Sequence, residues 1–379
     1  MTEADEKMKI AYLVQTHRNP KLLKRKIEVL SSEDCAFFIH IDGKSNIKDF
    51  SSIKGGNVFF ADKRVPVYWA EYSMVEAILI LIRQALDAPQ KYDYFVLSTG
   101  SDYPLRSREY IHDFFDKNRG KEFIGTIKLP DGEACQSSGT KLSGKGCAGY
   151  VARKYYSNLN IARSPSKKPL SRIVLKILSR LGFVRRNYKN HLGTLEPYAG
   201  NAGWALTGDA CRYILDFAEN NKLFCKFFEK TFAPDEMFFH TILGNSMFKS
   251  RIYRHLTYED WSAETEHSQS GHVKYPFLER SSNKGGHPAL MTEKHINFFE
   301  NNEKVILDDI YGSAEMLFAR KFSDNNLDLL SKIESMIIRK ERPGFGKPGK
   351  DCRWNITPRP IRLERRIEWK QSLLRTWKP

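Results

Sequence analysis

No stretch of this 379-residue sequence approaches the roughly 18 consecutive apolar residues of a membrane-crossing helix. Its start, MTEADEKMKIAYLV, lacks a basic region followed by an apolar segment and a cleavage site. A membrane span and a secretory leader are therefore not expected, and a cytoplasmic location is. Cysteine is sparse and scattered: Cys35, Cys135, Cys147, Cys211, Cys225 and Cys352 form no C-x-x-C pair. That spacing suggests neither a zinc site nor a disulfide framework, and reduced thiols are expected. An Asp-x-Asp pair, the usual oxygen-rich holder of a divalent ion on a sugar-nucleotide diphosphate, is absent throughout.

What is present is ample apolar matter, 41% hydrophobic and 12% aromatic, enough to bury one large core or a core with a smaller lobe. Basic residues are in excess, 61 Lys+Arg against 45 Asp+Glu, for a net charge of +16. Two segments concentrate that excess: residues 336–379 hold thirteen Lys/Arg against four acids, and residues 163–189 hold nine with no acid. Such charge suits nucleic acid, an anionic membrane surface or phosphate-bearing substrates.

The first half alternates short β-type runs with helical patterns. Strands are expected at 9–16, 36–42, 57–61, 93–98 and 122–127, and helices from about Asn19, Ser73 and Arg108. That rhythm predicts a mostly parallel sheet flanked by helices, with ligands beyond the carboxyl ends of the strands. The loops there carry His17, then Asp42 and Lys44, then Asp62, then Ser101 and Asp102. None of these loops has a dinucleotide or P-loop glycine pattern, which weakens both of those readings.

Between Pro165 and Tyr188, Leu170, Ile173, Val174, Ile177, Leu178 and Leu181 form one helical stripe and Lys168, Arg172, Lys176 and Arg180 another. A basic amphipathic helix of this kind fits an anionic membrane surface, or packs on its domain with a solvated basic face. The tail after Lys340 breaks at Pro343-Gly344 and Pro358-Arg359-Pro360 and regains helical character over 361–374. It carries Trp369 and Trp377 among basic residues.

Three places offer chemistry. Gly200-Asn201-Ala202-Gly203 is a turn into a strand at Trp204–Thr207, followed by a helix from about Asp209. Pro234-Asp235-Glu236 reads as a helix start, where an acid ordinarily complements the helix dipole. If functional, Glu236 is an ionised base. Arg320 and Lys321, set among apolar residues in Leu317–Phe322, are either surface cations with buried stems or, if functional, ligands for phosphate oxygens.

Taken in order, AYLVQTH, FFIHIDGKS, VYWAEYSMVEA, DYFVLSTGSDYPL, GWALT, PDEMFFHTIL and LFARKF resemble the core-2/I-branching β-1,6-N-acetylglucosaminyltransferases and protein xylosyltransferases. These form glycosyltransferase family 14, which also has bacterial members. The resemblance runs from about Lys9 to Phe322 and leaves out the middle basic helix and the tail. It implies a GT-A-type α/β fold, inversion at the anomeric carbon and metal-independent use of a UDP-sugar. By position it places His17 and Asp42 on the uridine; Asp102, a single carboxylate after the fourth strand where an Asp-x-Asp would be expected, is counted with the donor site from its loop alone. Lys321 falls on the diphosphate and Glu236 on the acceptor hydroxyl, while Trp261 stacks on the acceptor. A family arginine that also binds diphosphate has no match in residues 281–292, where His287 or Arg320 takes its place.

The expected organisation is a glycosyltransferase domain over residues 8–325, with a basic insertion at 163–190 and a basic extension at 326–379. Its substrates are a UDP-sugar carrying GlcNAc or xylose and a saccharide acceptor, lipid-linked if the basic segments rest on the inner membrane face. No cofactor or metal is expected. The rival readings are a basic nucleic-acid-binding protein, for which no recognised motif is present, and an inactive scaffold relative, against which Glu236 and Lys321 speak.

Overall fold

The computed structural model describes residues 7–129, 189–231, 233–260, 288–309 and 311–341. Its opening strands are nearly all apolar: β1 (Ile10–Thr16), β2 (Cys35–Ile41) and β4 (Tyr94–Thr99) are buried over almost their whole lengths. Runs of this kind belong inside a parallel sheet covered on both faces. β2 pairs in parallel with β1 and with β3 (Val58–Phe60), and β1 pairs in parallel with β4. With β6 (Glu122–Phe123), β9 (Trp204–Thr207) and β10 (Ile252–Tyr253), the seven-stranded sheet has the order β10-β6-β9-β4-β1-β2-β3 and is mostly parallel; β9 is antiparallel to both its neighbours, β4 and β6.

Alternation along β1 divides two apolar layers. Ala11 and Leu13 join Phe38, Phe95 and Leu97 against α2 (Ser73–Asp87). Ile10, Tyr12 and Val14 join Phe37, Tyr94 and Val96 against α1 (Pro20–Leu30) and α3 (Arg108–Lys117). Each fully buried Leu, Ile or Phe here contributes about 1.5–3 kcal/mol, so a helix–sheet–helix sandwich follows from the strand pattern itself.

The expected strand at 122–127 is two strands. β6 (Glu122–Phe123) joins the large sheet and β7 (Thr126–Lys128) pairs with β8 (Tyr198–Gly200). Gly125 lies between them at φ +54, and a Cβ there would sit 2.9 Å from His255 Nδ1. Only glycine satisfies both demands cheaply.

A short helix α4 (Lys189–Leu192) precedes β8. After β9 come α5 (Gly208–Asn220), α6 (Lys222–Phe228), a 3-10 turn at Pro234–Glu236, and α7 (Phe238–Gly244). β10 (Ile252–Tyr253) closes the large sheet, while β11 (Thr257–Glu259) belongs to a second, three-stranded sheet of order β11-β14-β5. That sheet joins β5 (Asp102–Pro104) to β14 (Phe318–Arg320). Helix α8 (Glu293–Asn301) and the hairpin β12 (Ile306–Asp309) and β13 (Gly312–Glu315) lead into β14.

The segment expected as an extension from residue 326 begins as α9 (Leu327–Lys340), whose Leu329, Leu330, Ile333, Met336 and Ile337 pack into a third apolar cluster with Tyr103, Tyr258 and Phe322. The basic stripe at 163–188 and the tail after residue 341 lie outside the described residues. Among the described residues no helix is long and apolar enough to cross a membrane.

Candidate active site

The sheet order reverses at β1: β2 and β3 follow on one side and β4 lies on the other. In open α/β sheets the crevice beyond the carboxyl ends of two such strands is the place for a ligand. Here the ends touch closely, since a Cβ on Gly100 would lie 2.1 Å from Thr16 Oγ1. Four loops converge on this crevice.

The first follows β1. His17 is exposed, Asn19 is held at φ 62, and Pro20 starts α1. The Asn19 amide reaches across to Ser101 Oγ at 3.2 Å. Partial burial of the His17 ring pushes its pKa below 6.5; Arg18, Lys44 and Lys321 push the same way, against the pull of Asp42. The imidazole is therefore neutral at physiological pH, and its neighbours show that these five side chains share one electrostatic neighbourhood.

The second follows β2. Asp42 accepts from the Lys44 backbone at 2.9 Å, the Lys44 ammonium at 2.7 Å and the Val67 backbone at 3.1 Å. Burial pulls this carboxyl upward, but those hydrogen bonds and the Lys44 charge outweigh it and hold the carboxylate below its ordinary range. Arg64 braces the same turn through the carbonyls of Ile41, Asp42 and Ser45, at 2.9, 2.8 and 2.7 Å. Asp42 is thus a fixed, ionised acceptor at the crevice edge. Asp62, the acid after β3, is exposed and lines a separate cleft with Glu76 and Arg83.

The third joins β4 to β5. Asp102 accepts from the Thr99 backbone and hydroxyl, both at 2.7 Å. Asp102 and Arg320 are register partners across β5 and β14, with Arg320 Nε 3.4 Å from Asp102 Oδ1. Glu259 of β11 meets the same guanidinium at 3.3 Å. Burial opposes the Arg320 charge, and Asp102, Glu259 and Asp235 more than offset it. Arg320 therefore gathers acids.

Its neighbour Lys321 is different. Burial lowers its pKa, Arg320 and Arg18 lower it further, and Asp102 and Glu259 only partly compensate. Among the described residues its ammonium makes no hydrogen bond or ion pair. A half-buried cation crowded by other cations is a natural receptor for an anion.

The fourth loop carries Glu236. The expected helix start is a single 3-10 turn, with α7 beginning two residues later. Ala233 before it has φ 48, and its N–H donates to Ala70 O at 3.0 Å. Ala70 has φ 60 and belongs to the VYWAEY segment ahead of α2. Non-glycine residues in this region are uncommon and cluster where a structure over-determines its backbone. The turn buries Asp235 toward Arg320 and leaves Glu236 half-exposed, in electrostatic contact with Tyr311 of the β12–β13 hairpin. Trp69, 51% exposed, stands next to Ala70.

Of the residues singled out by sequence, the structure thus brings His17, Asp42 and Lys321 into one neighbourhood. Asp102 and Arg320 are paired beside it, and Glu236 is linked through Asp235, Arg320 and Glu259. Trp261 and His287 lie outside the described residues. Sequence reasoning missed Arg18, Asp235, Glu259, Tyr311, Trp69 and Lys26 as neighbours of the crevice. No local pattern marks them. Glu259 is placed by strand pairing with Arg320, and the others come from loops, turns and a helix whose approach to the crevice depends on distant parts of the chain. Glu122, with its pKa raised by burial, is no rival base: it is wholly buried and bonded to the Thr207 backbone and hydroxyl at 2.9 and 2.7 Å.

Comparison with known proteins adds a family. The profile described as Core-2/I-Branching enzyme matches residues 10–143 and 182–282. Xylosyltransferase 2 of Rattus norvegicus is 24% identical over 264 residues, covering 67% of this chain and 27% of that protein. Xylosyltransferase 2 of Pan troglodytes is 31% identical over 123 residues, 31% of this chain and 14% of that protein. A Danio rerio β-1,3-galactosyl-O-glycosyl-glycoprotein β-1,6-N-acetylglucosaminyltransferase 4 is 24% identical over 247 residues, 63% of this chain and 50% of that protein. The chain therefore spans half or less of the length of these relatives.

Proposed function

The chain belongs to the core-2/I-branching enzyme family, and from that premise we propose that it transfers a sugar, GlcNAc or xylose, from a UDP-sugar to a hydroxyl of a saccharide acceptor. The reaction inverts the anomeric carbon, needs no metal and takes place on a GT-A-type fold. The observation that carries this reading is the meeting of His17, Asp42 and Lys321 at the β1/β4 reversal, with the Glu236 turn pinned alongside through Ala70.

His17 and Asp42 hold the uridine, a neutral ring and a fixed carboxylate offering polar contacts to the base and ribose. Lys321 takes the diphosphate. The acceptor oxygen attacks the anomeric carbon as the carbon–oxygen bond to UDP breaks. Glu236 accepts the acceptor's proton, and Lys321 stabilises the negative charge that develops on departing UDP. Both effects act mainly in the transition state. Arg320 keeps Asp102, Glu259 and Asp235 ordered beside the reacting centre.

The basic segments at 163–190 and in the tail suit an anionic inner membrane face and a lipid-linked acceptor, as in bacterial surface-polysaccharide assembly. Co-sedimentation with anionic vesicles, reduced by removing either segment, tests that placement. The donor reading is tested by UDP: thermal stabilisation of the chain by UDP and turnover of UDP-GlcNAc or UDP-xylose support it, and absence of both rejects it.

A further inference from the structure

The inward face of α1 contains one residue that its apolar spacing does not predict. Leu22, Leu23, Ile27 and Leu30 are buried as the pattern requires, and so is Lys26, at 2% exposure. It is the one buried lysine among the described residues. A charged ammonium in that position loses its hydration and needs partners in return. It has them at the end of β4: Nζ donates to Thr99 O at 2.8 Å and to Ser98 Oγ at 3.1 Å. Thr99 in turn donates twice to Asp102, and Asp102 faces Arg320, the residue before Lys321.

We propose that Lys26 is a positioning residue for donor binding, a buried brace that fixes the Thr99–Asp102 turn and, through Asp102 and Arg320, sets Lys321 against the donor diphosphate. This rests on the reading of Lys321 as the diphosphate ligand. Lys26 itself touches no substrate. Its charge stands behind the turn and adds positive potential to the diphosphate end of the crevice, while its hydrogen bonds keep the Thr99 donors aimed at Asp102.

The charged groups facing Lys26 are Asp102 from β5 and Arg320 from β14, and β4 supplies the neutral Ser98 and Thr99. Burial lowers the Lys26 pKa to about 8; Arg320 lowers it too, and Asp102 opposes both. The brace is therefore charged at neutral pH and discharges under mildly alkaline conditions, where donor affinity weakens with it.

The test is UDP titration calorimetry on the full chain between pH 6.5 and 9.5, for wild type, Lys26→Met and the milder Ser98→Ala, with melting temperatures measured alongside. Wild-type affinity should fall as pH rises through about 8. Lys26→Met should bind UDP about tenfold more weakly at pH 7, as for the loss of one charge-assisted hydrogen bond. Its alkaline fall should be shallower than that of wild type, leaving the part due to Lys321, and it should melt somewhat lower, because Thr99 O and Ser98 Oγ lose their donor. Ser98→Ala should show an intermediate affinity. Unchanged UDP affinity at pH 7 in Lys26→Met, or a fall through about pH 8 as steep as that of wild type, overturns the brace. If Lys26→Met does not fold, wild-type affinity and pH profile in Ser98→Ala overturn it equally. A wild type that binds no UDP at any pH rejects the donor site itself, a different outcome from a variant that matches wild type.

Discussion

Ala70 and Ala233 are both left-handed, at φ 60 and φ 48, and the N–H of Ala233 donates to the carbonyl of Ala70 at 3.0 Å. This bond ties the segment ahead of α2 to the turn that presents Glu236. Left-handed backbone costs a non-glycine residue roughly 1–2 kcal/mol, and a β-branched residue more. Ala233→Gly should keep the fold and the activity. Ala233→Val should lower turnover at least tenfold and lower the melting temperature, as measured by initial rates and thermal denaturation of the three proteins.

Arg320 and Lys321 are adjacent cations with different duties. Lys321→Ala should weaken UDP binding by about ten- to a hundredfold, the range for one hydrogen bond to a charged group, with little change in melting temperature. Arg320→Ala strands Asp102 and Glu259, which are buried or nearly so. It should cost about 3–5 kcal/mol of stability by the measure of broken buried ion pairs. Calorimetry and denaturant unfolding on the two variants separate these effects.

Acid should destabilise the fold before the carboxylates titrate. Burial lowers the pKa of His255 well below 6.5, with Arg254 and His240 adding to it, and burial likewise lowers His40 and His112. Unfolding frees these rings to take protons near pH 6.5, which the folded state refuses. Their contribution is fully present above that pH and is lost as pH falls through their folded values. Melting temperatures measured from pH 7.5 to pH 5 should decline steadily; a flat profile contradicts the shifts.

The absence of an Asp-x-Asp pair leads to a further expectation. Transfer activity should be unchanged by EDTA and by added Mn²⁺. Activity that disappears with EDTA and returns with Mn²⁺ contradicts metal independence.

The parallel half of the sheet was legible because its signals are local. Continuous apolar runs such as IAYLVQT and CAFFIHI and the helical spacing of 73–87 need no distant partner to be read. The break at Gly125 was not legible, because it depends on His255 approaching from far along the chain. The same division holds at the site. His17 and Asp42 follow strands and could be found by position, whereas the role of Arg320 comes from Asp102 and Glu259 across strand pairs. Lys26 was hidden for a related reason: a lysine on a helix reads as surface until its neighbours in the sheet are known.

The central claim is that Glu236 is the base. Glu236→Gln keeps the shape of the side chain but cannot accept the proton. With UDP-sugar and acceptor saturating, its kcat should fall about 10²- to 10⁴-fold, while its UDP dissociation constant by calorimetry stays at the wild-type value. Near-wild-type kcat in this variant contradicts the assignment.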